Sequence, residues 1–252
     1  MFIEHGGARL YVETDGPDTA PALLLWPNGS SSLRGGDHLV VQITPRFHTI
    51  RIDIRGVGQS AAAPGSHDAD DPQFTFEQYA ADARRVLDQL GIAACHVWSQ
   101  SWGSRPAIVF CALNNERVMS AALYAANLDL PDVEAPRKGS KLAAARQQAA
   151  GIKVPSPPVG MKDHANPDTV GSAMLALRKF DLASVGARLT MPLLIGTGSL
   201  DPNLVSSRVI AERAENAQLS VLEDVGHNGI LERPDIALER FINFHDNLET
   251  ST

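Results

Sequence analysis

Short apolar runs alternate with amphipathic patterns along the 252-residue chain. Residues 22–26 form a continuous apolar run, which is typical of a strand buried on both faces of a parallel sheet. Residues 75–90 carry apolar side chains at spacings of three and four, which predicts a helix with one buried stripe. Gly91 follows this stripe and suits the left-handed backbone with which many helices end.

The same alternation of strand and helix patterns continues through most of the chain. A second helix is predicted at residues 102–114, and Gly6 and Gly7 suit the turn of an N-terminal hairpin. Further strands are predicted at residues 2–5, 10–13, 49–53, 95–99, 120–126, 191–196 and 219–222. Because strands alternate with helices, we expect an α/β fold whose mostly parallel sheet is covered by helices on both faces.

Residues 128–187 depart from this alternation. They contain an alanine-rich helix pattern at residues 141–150 and a second helix pattern near residues 169–180, separated by a proline-rich segment. We interpret 128–187 as a small helical lid inserted into a core made of residues 1–127 and 188–252. The alternative interpretation is a pair of ordinary crossover helices joined by a long loop.

Composition and charge exclude several classes of protein. The formal net charge is −7, so the chain lacks the basic balance typical of nucleic-acid-binding proteins. Apolar stretches fall short of the roughly 20 residues that span a bilayer, and the N-terminus lacks a signal-peptide pattern. Cys95 and Cys111 lie in apolar contexts and are interpreted as reduced, buried thiols. We therefore expect a cytoplasmic protein with no nucleic-acid or membrane partner; the composition carries no signal of an oligomeric state.

The most informative short segment joins the strand at 95–99 to the helix at 102–114. Ser101 lies at the centre of a small-x-Ser-x-Gly pattern, with Ser99 two residues before it and Gly103 two residues after it. A tight strand-to-helix turn of this kind exposes its central side chain at the carboxyl end of a sheet, and backbone crowding there requires small flanking residues. Ser99 does not fit the central position, because Val97 would then be a flanking residue. We therefore predict Ser101 as a nucleophile.

Two later turns carry the partners that a nucleophilic serine needs. A serine hydroxyl becomes a good nucleophile when a neutral imidazole accepts its proton and a carboxylate orients that imidazole. Asp201 follows the predicted strand at 191–196, and His227 follows the one at 219–222. We predict His227 as the base and Asp201 as the orienting acid. Asp129, after the preceding strand, is the alternative acid, and a plain turn aspartate is the competing interpretation of Asp201.

Motifs spread over nearly the whole chain outside the predicted lid resemble those of the α/β-hydrolase family. They are the turn at residues 53–60 (Asp-x-Arg-Gly-x-Gly-x-Ser), the segment 99–103, the junction 116–118, the loop 198–201, and Gly226-His227 with Glu232-x-Pro234. The chain order Ser, Asp, His also matches that family. The resemblance implies an eight-stranded, mostly parallel α/β-hydrolase sheet with a small helical lid, and it places the catalytic triad on Ser101, Asp201 and His227.

The resemblance also implies an oxyanion hole made of two backbone N–H groups. Trp102, next to the nucleophile, would supply one of them. The family usually has His-Gly-x in the loop that supplies the other, but this chain has Pro27-Asn28-Gly29-Ser30 there, similar to the Ser-Asn-Ser stretch of 3-oxoadipate enol-lactone hydrolases. That alignment gives the second donor to Gly29, or to Ser30 if the register differs by one, and places Asn28 and Ser30 at the substrate.

These residues predict a serine hydrolase that cleaves a small carboxylic ester or lactone through an acyl-enzyme on Ser101. The family resemblance leaves open other chemistry on the same triad, such as carbon–carbon bond hydrolysis or perhydrolysis, and a ligand receptor without turnover. The chemistry needs no cofactor and no metal, and we find neither a phosphate-binding glycine loop nor a metal-ligand cluster in the sequence. The expected partner is a small-molecule substrate.

Overall fold

The computed structural model describes residues 1–65, 68, 71–129, 134–176 and 188–250. Within these residues eight strands form one sheet. They are β1 (Phe2–His5), β2 (Ala8–Asp15), β3 (Ala22–Leu25), β4 (His48–Ile52), β5 (Cys95–Gln100), β6 (Val118–Tyr124), β7 (Leu193–Gly198) and β8 (Ala217–Leu222).

Helices connect and cover these strands. Those described are α1 (Asp37–Ile43), α2 (Phe76–Gln89), α3 (Ser104–Leu113), α4 (Glu134–Ala149), α5 (Asp168–Met174), α6 (Leu204–Arg213), α7 (Gly229–Glu232) and α8 (Pro234–Thr250). In the part of the chain that the structure describes, none of them is both long enough and apolar enough to cross a membrane.

The sheet runs in the order β1-β2-β4-β3-β5-β6-β7-β8. The strands β1 and β2 form an antiparallel hairpin, β2 pairs antiparallel with β4, and every pairing from β4 through β3 to β8 is parallel. The predicted fold class, a mostly parallel eight-stranded sheet between helices, is therefore confirmed. The carboxyl ends of β5, β7 and β8 point to the same edge of the sheet, where Ser101, Asp201 and His227 follow them.

The core consists of one apolar cluster on each face of the sheet. Successive strand residues point to opposite faces, so Val97 of β5 packs in the cluster formed with α2 and α3, whereas Trp98 packs in the cluster formed with α1 and α8. Helix α2 begins where the Thr75 side chain accepts a hydrogen bond from the Gln78 amide, and it ends before Gly91, whose φ is +69° as the sequence indicated.

The described part of the predicted lid contains α4 and α5, and residues 130–133 and 177–187 lie outside the described residues. Helix α4 begins at Glu134, seven residues before the predicted start. Pro136 lies in its first turn, where proline is tolerated, and Gly139 lies in its interior, where glycine weakens a helical pattern. Helix α5 ends at Met174, and the predicted continuation to residue 180 reaches beyond the described segment.

A buried ion pair joins the turn after β4 to helix α2. The Arg55 guanidinium donates to both carboxylate oxygens of Asp82 at 2.7 and 2.9 Å, and the two side chains are only 1% and 4% exposed. Replacing Asp82 by alanine leaves a buried cation without its partner, so we expect Asp82→Ala to lower the free energy of unfolding by roughly 3–5 kcal/mol. Chemical denaturation measures this loss.

The matched control is Asp88 on the same helix, which pairs with Arg117 at the surface. An exposed pair contributes roughly 0–1 kcal/mol, so Asp88→Ala should change the free energy of unfolding little. Equal losses for the two variants would contradict the role assigned to Arg55 and Asp82.

Two buried histidines are expected to make the folded state sensitive to acid. The rings of His96 and His245 lie 4.5 Å apart against Phe47, and burial lowers the pKa of His96 to about 4 and that of His245 to about 3. In the unfolded chain both titrate near 6.5, so the unfolded state binds more protons once the pH falls below that value. We expect the contribution of these two histidines to the free energy of unfolding to be fully retained above pH 6.5. Below pH 6.5, each histidine should lower the free energy of unfolding by about 1.4 kcal/mol per pH unit until the pH reaches the pKa of that histidine in the folded state.

Denaturant titrations between pH 7 and pH 4 test this slope. His245→Phe removes one of the two groups and fits a site already walled by Phe47, Phe241 and Phe244. Its stability should therefore fall less steeply with acid than that of the wild type. Parallel curves for the two proteins would show that His245 does not contribute to the acid sensitivity.

Candidate active site

The serine predicted as nucleophile lies at a sharp turn between β5 and α3. Ser101 has a φ of +56°, a left-handed conformation that residues other than glycine rarely adopt, and it begins the short 3-10 turn Ser101–Gly103. A Cβ atom at Gly103 would overlap the carbonyl oxygen of Pro27, so a residue without a side chain is required there. Ser99 is fully buried and donates to Ser104 Oγ at 3.1 Å. The turn therefore presents Ser101 and hides Ser99.

The three predicted triad residues lie together at the carboxyl edge of the sheet. Ser101 Oγ lies 2.6 Å from His227 Nε2, and His227 Nδ1 lies 3.1 Å from each carboxylate oxygen of Asp201. The Asp201 side chain is fully buried and that of His227 is 18% exposed. These contacts fit a neutral imidazole whose Nδ1–H donates to the carboxylate and whose Nε2 accepts from the serine.

Asp201 is held by the acid loop (residues 198–203), which follows β7. Its Oδ1 accepts a hydrogen bond from the Asn203 amide at 3.0 Å. A Cβ atom at Gly198 would overlap the backbone of Val225 and Gly226, so the acid loop lies directly against the segment that carries His227. Asp129, the alternative acid, has its carbonyl bonded to Arg105, while both carboxylate oxygens of Asp201 face His227 Nδ1. The geometry favours Asp201.

His227 lies in the histidine loop (residues 224–229) between β8 and α7. The Glu232 carboxylate accepts hydrogen bonds from the backbone amides of the two residues next to His227, from Gly226 at 2.8 Å and from Asn228 at 3.3 Å. Gln100 Nε2 donates to the His227 carbonyl at 3.4 Å. The backbone of the base is thus bonded to α7 on one side and to the nucleophile turn on the other.

The loop predicted to complete the oxyanion hole lies beside Trp102. A Cβ atom at Gly29 would lie 2.9 Å from Trp102 Cβ, so the two predicted donors belong to segments in direct contact. The Gly29 N–H donates to its neighbour Asn28 Oδ1 at 2.7 Å, and the Ser30 N–H points at Met174 Sδ at 3.1 Å. For Gly29 to act as predicted, the Asn28 side chain has to turn away when substrate binds.

The turn at residues 53–60 holds the chain just after the predicted oxyanion loop, at Leu33. The buried Asp53 carboxylate accepts from the Leu33 amide at 2.6 Å and from the Gln59 amide at 2.7 Å. Burial raises the pKa of Asp53, and these two amide hydrogen bonds oppose that effect. Gly58 has a φ of +60°, and a side chain there would overlap the Asp53 carboxylate. This turn is therefore a structural support for the loop.

Residues 160–174 cover both of these loops. Lys162 Nζ donates to the Ser30 carbonyl and hydroxyl oxygens, each at 2.9 Å, and burial lowers its pKa. His164 Nδ1 accepts from the Gly58 amide at 3.0 Å, which requires that nitrogen to be unprotonated. Thr169 Oγ1 donates to the Gly56 carbonyl at 2.6 Å, and Trp102 Nε1 donates to the Met174 carbonyl at 3.3 Å. Residues 160–174 therefore pack over the predicted oxyanion loop.

This arrangement has the geometry that nucleophilic acyl transfer requires. Ser101 is within hydrogen-bonding reach of a base, and the base is oriented by a buried carboxylate. The sequence predicted all three residues but not the contacts of Glu232, Met174, Lys162 and His164. In the sequence Glu232 is part of the motif that follows His227, whereas the other three residues lie in a segment with no pattern that indicates a contact with the site.

Comparison with known families gives the class of protein to which this fold belongs. A model of the α/β hydrolase fold matches residues 26–156, more than half of the chain, and the protein belongs to that family.

Individual relatives are more distant. The 3-oxoadipate enol-lactonase 1 of Acinetobacter baylyi is 24% identical over 277 residues, covering 99% of this chain and 97% of the relative. The crystal structure of the enol-lactonase from Burkholderia xenovorans superposes with a TM-score of 0.79 at 20% identity, covering 98% of this chain and all of the other. A thermophilic esterase from Thermogutta terrifontis gives a TM-score of 0.74 at 20% identity, covering 95% of this chain and 94% of the other. At such identities the structural matches establish the fold.

Proposed function

We propose that the protein is a serine hydrolase that cleaves a small carboxylic ester or lactone. The observation that carries this proposal is the continuous chain of contacts from Ser101 Oγ through His227 to the buried Asp201. The relatives named as enol-lactonases and an esterase support the same choice of bond.

In this mechanism Ser101 Oγ attacks the carbonyl carbon of the substrate while His227 Nε2 takes the hydroxyl proton. Asp201 keeps the imidazole in the reactive tautomer and stabilises the imidazolium without taking its proton. His227 then gives the proton to the leaving oxygen, and an acyl-enzyme forms on Ser101. Water attacks this ester with His227 again as base, which releases the acid and restores the serine.

The oxyanion that forms in each half-reaction would be stabilised by backbone N–H groups of Trp102 and Gly29. One such donor contributes roughly 3–4 kcal/mol in the transition state. In the structure Asn28 Oδ1 accepts the hydrogen bond from the Gly29 N–H. The proposal therefore includes a rotation of the Asn28 side chain, after which the Gly29 N–H donates to the substrate oxygen. Asn28 and Ser30 would then line the substrate.

The first experiment is the intact mass of the protein after treatment with a fluorophosphonate, followed by peptide mapping of the adduct. We expect one adduct on Ser101, abolished in His227→Ala, together with turnover of p-nitrophenyl acetate and of small lactones. A folded protein that takes up no adduct and turns over no ester would contradict the proposal and favour a ligand receptor on the same fold.

A further inference from the structure

The Glu232 carboxylate lies against the histidine loop at the end of α7. It accepts from Gly226 N at 2.8 Å through Oε2 and from Asn228 N at 3.3 Å through Oε1. These are the backbone amides of the residues immediately before and after His227. Hydrogen bonds to a carboxylate are stronger than those between neutral groups, so this one side chain holds the backbone of the residue before and of the residue after His227.

The position of His227 has to be well defined, because its ring makes two contacts at once. Nε2 lies 2.6 Å from Ser101 Oγ while Nδ1 faces Asp201 at 3.1 Å. A small rotation of the backbone at residue 227 would lengthen one contact or the other. Misplacement of a catalytic group by about 1 Å can cost on the order of 100-fold in rate.

A third donor reaches the same carboxylate from helix α4. Ser140 Oγ donates to Glu232 Oε1 at 2.8 Å, and both side chains are half-buried. The helix lies very close to the catalytic loops at this point. A Cβ atom at Gly226 would lie 2.7 Å from Ser140 Cα, and one at Gly139 would overlap the carbonyl oxygen of Leu200 in the acid loop.

We propose that Glu232 is a positioning residue for His227, and that Ser140 ties the position of helix α4 to the orientation of the catalytic base. This inference rests on the proposed function of His227. Helix α4 thereby contacts the acid loop through Gly139 and the histidine loop through Ser140. A change at this end of α4 is transmitted to Asp201 and His227 through backbone contacts and one carboxylate.

The test compares Glu232→Ala, Glu232→Gln and Ser140→Ala with the wild type on p-nitrophenyl acetate. Active sites are counted by fluorophosphonate titration, so that kcat is expressed per reactive serine. We expect Glu232→Ala to lower kcat per site by roughly 10- to 100-fold, with KM within about twofold of the wild type. Glu232→Gln keeps one acceptor oxygen and should lose less. Ser140→Ala should lose roughly three- to tenfold, and adding it to Glu232→Ala should change little, because the two residues share one network.

The control is Arg146→Ala, which breaks the exposed pair of Arg146 with Asp224 between the same helix and the same loop. It leaves the amides beside His227 bonded to Glu232, so kcat per site should stay within about twofold of the wild type.

A purely structural role for Glu232 would reduce the number of titratable sites or the melting temperature and leave kcat per site unchanged. That result overturns the inference. If Glu232→Ala does not fold, unchanged kcat per site in both Glu232→Gln and Ser140→Ala overturns it equally. A wild-type protein without turnover overturns the proposed function together with this inference, whereas an active wild type with unaffected variants overturns the inference alone.

Discussion

Ser101→Ala is expected to lower kcat for p-nitrophenyl acetate by roughly 10⁵- to 10⁶-fold, and His227→Ala by a similar factor. The reason is that Ser101 Oγ and His227 Nε2, 2.6 Å apart, act as one unit in which neither group works without the other. The double variant should therefore be no slower than either single variant. Steady-state kinetics on the three purified proteins, with thermal melts to establish folding, measure this.

Ser99→Ala is the matched control for the nucleophile. It removes the other hydroxyl of the same motif, which is buried and bonded to Ser104. We expect most turnover to survive in this variant. Loss of turnover in Ser99→Ala with retention in Ser101→Ala would refute the assignment of the nucleophile.

Asp201→Asn is expected to lower kcat by about ten-thousand-fold while the protein stays folded. An asparagine in this buried position offers an amide to His227 Nδ1 and favours the tautomer in which Nε2 carries the proton and cannot accept one from Ser101. The rate of fluorophosphonate labelling, measured in parallel, should fall by a similar factor, because that reaction needs the same base.

Asp129→Asn provides the comparison, since Asp129 is the other acid that the sequence offers. Its backbone amide donates to Asn127 Oδ1 and its carbonyl accepts from Arg105. These backbone contacts survive the substitution, and turnover should stay close to that of the wild type. If Asp129→Asn were inactive and Asp201→Asn active, the acid would have been assigned to the wrong strand.

The sequence was most informative where local pattern determines structure. Strand ends followed by Ser101, Asp201 and His227 could be predicted because parallel strands deliver their carboxyl ends to one edge of the sheet. Gly103 was predicted to be small for a reason that the structure makes explicit, since Pro27 lies against it.

Contacts between distant segments could not be predicted in the same way. Ser140 and Glu232 are separated by 92 positions, and neither stands in a periodic pattern that indicates the other. Helix α1 is short and is preceded by two glycines, Gly35 and Gly36, so its sequence carries only a weak helical pattern. The beginning of α4 could not be predicted because Pro136 and Gly139 interrupt its helical pattern. The bond from Gly29 to Asn28 depends on a side-chain rotamer.

The absence of side chains at Gly139 and Gly226 has a consequence for recombination with relatives. One such recombination is a graft of the segment around α4 from another member of the family into this chain. The transplanted helix would have to fit against Leu200 at position 139 and against Gly226 at position 140. The distances there leave no room for one added carbon atom at Gly139 or Gly226. A chimaera that takes the helix without its two recipient loops should express with its sheet intact and lack a functional base. We therefore expect the helix to be exchangeable only together with both loops.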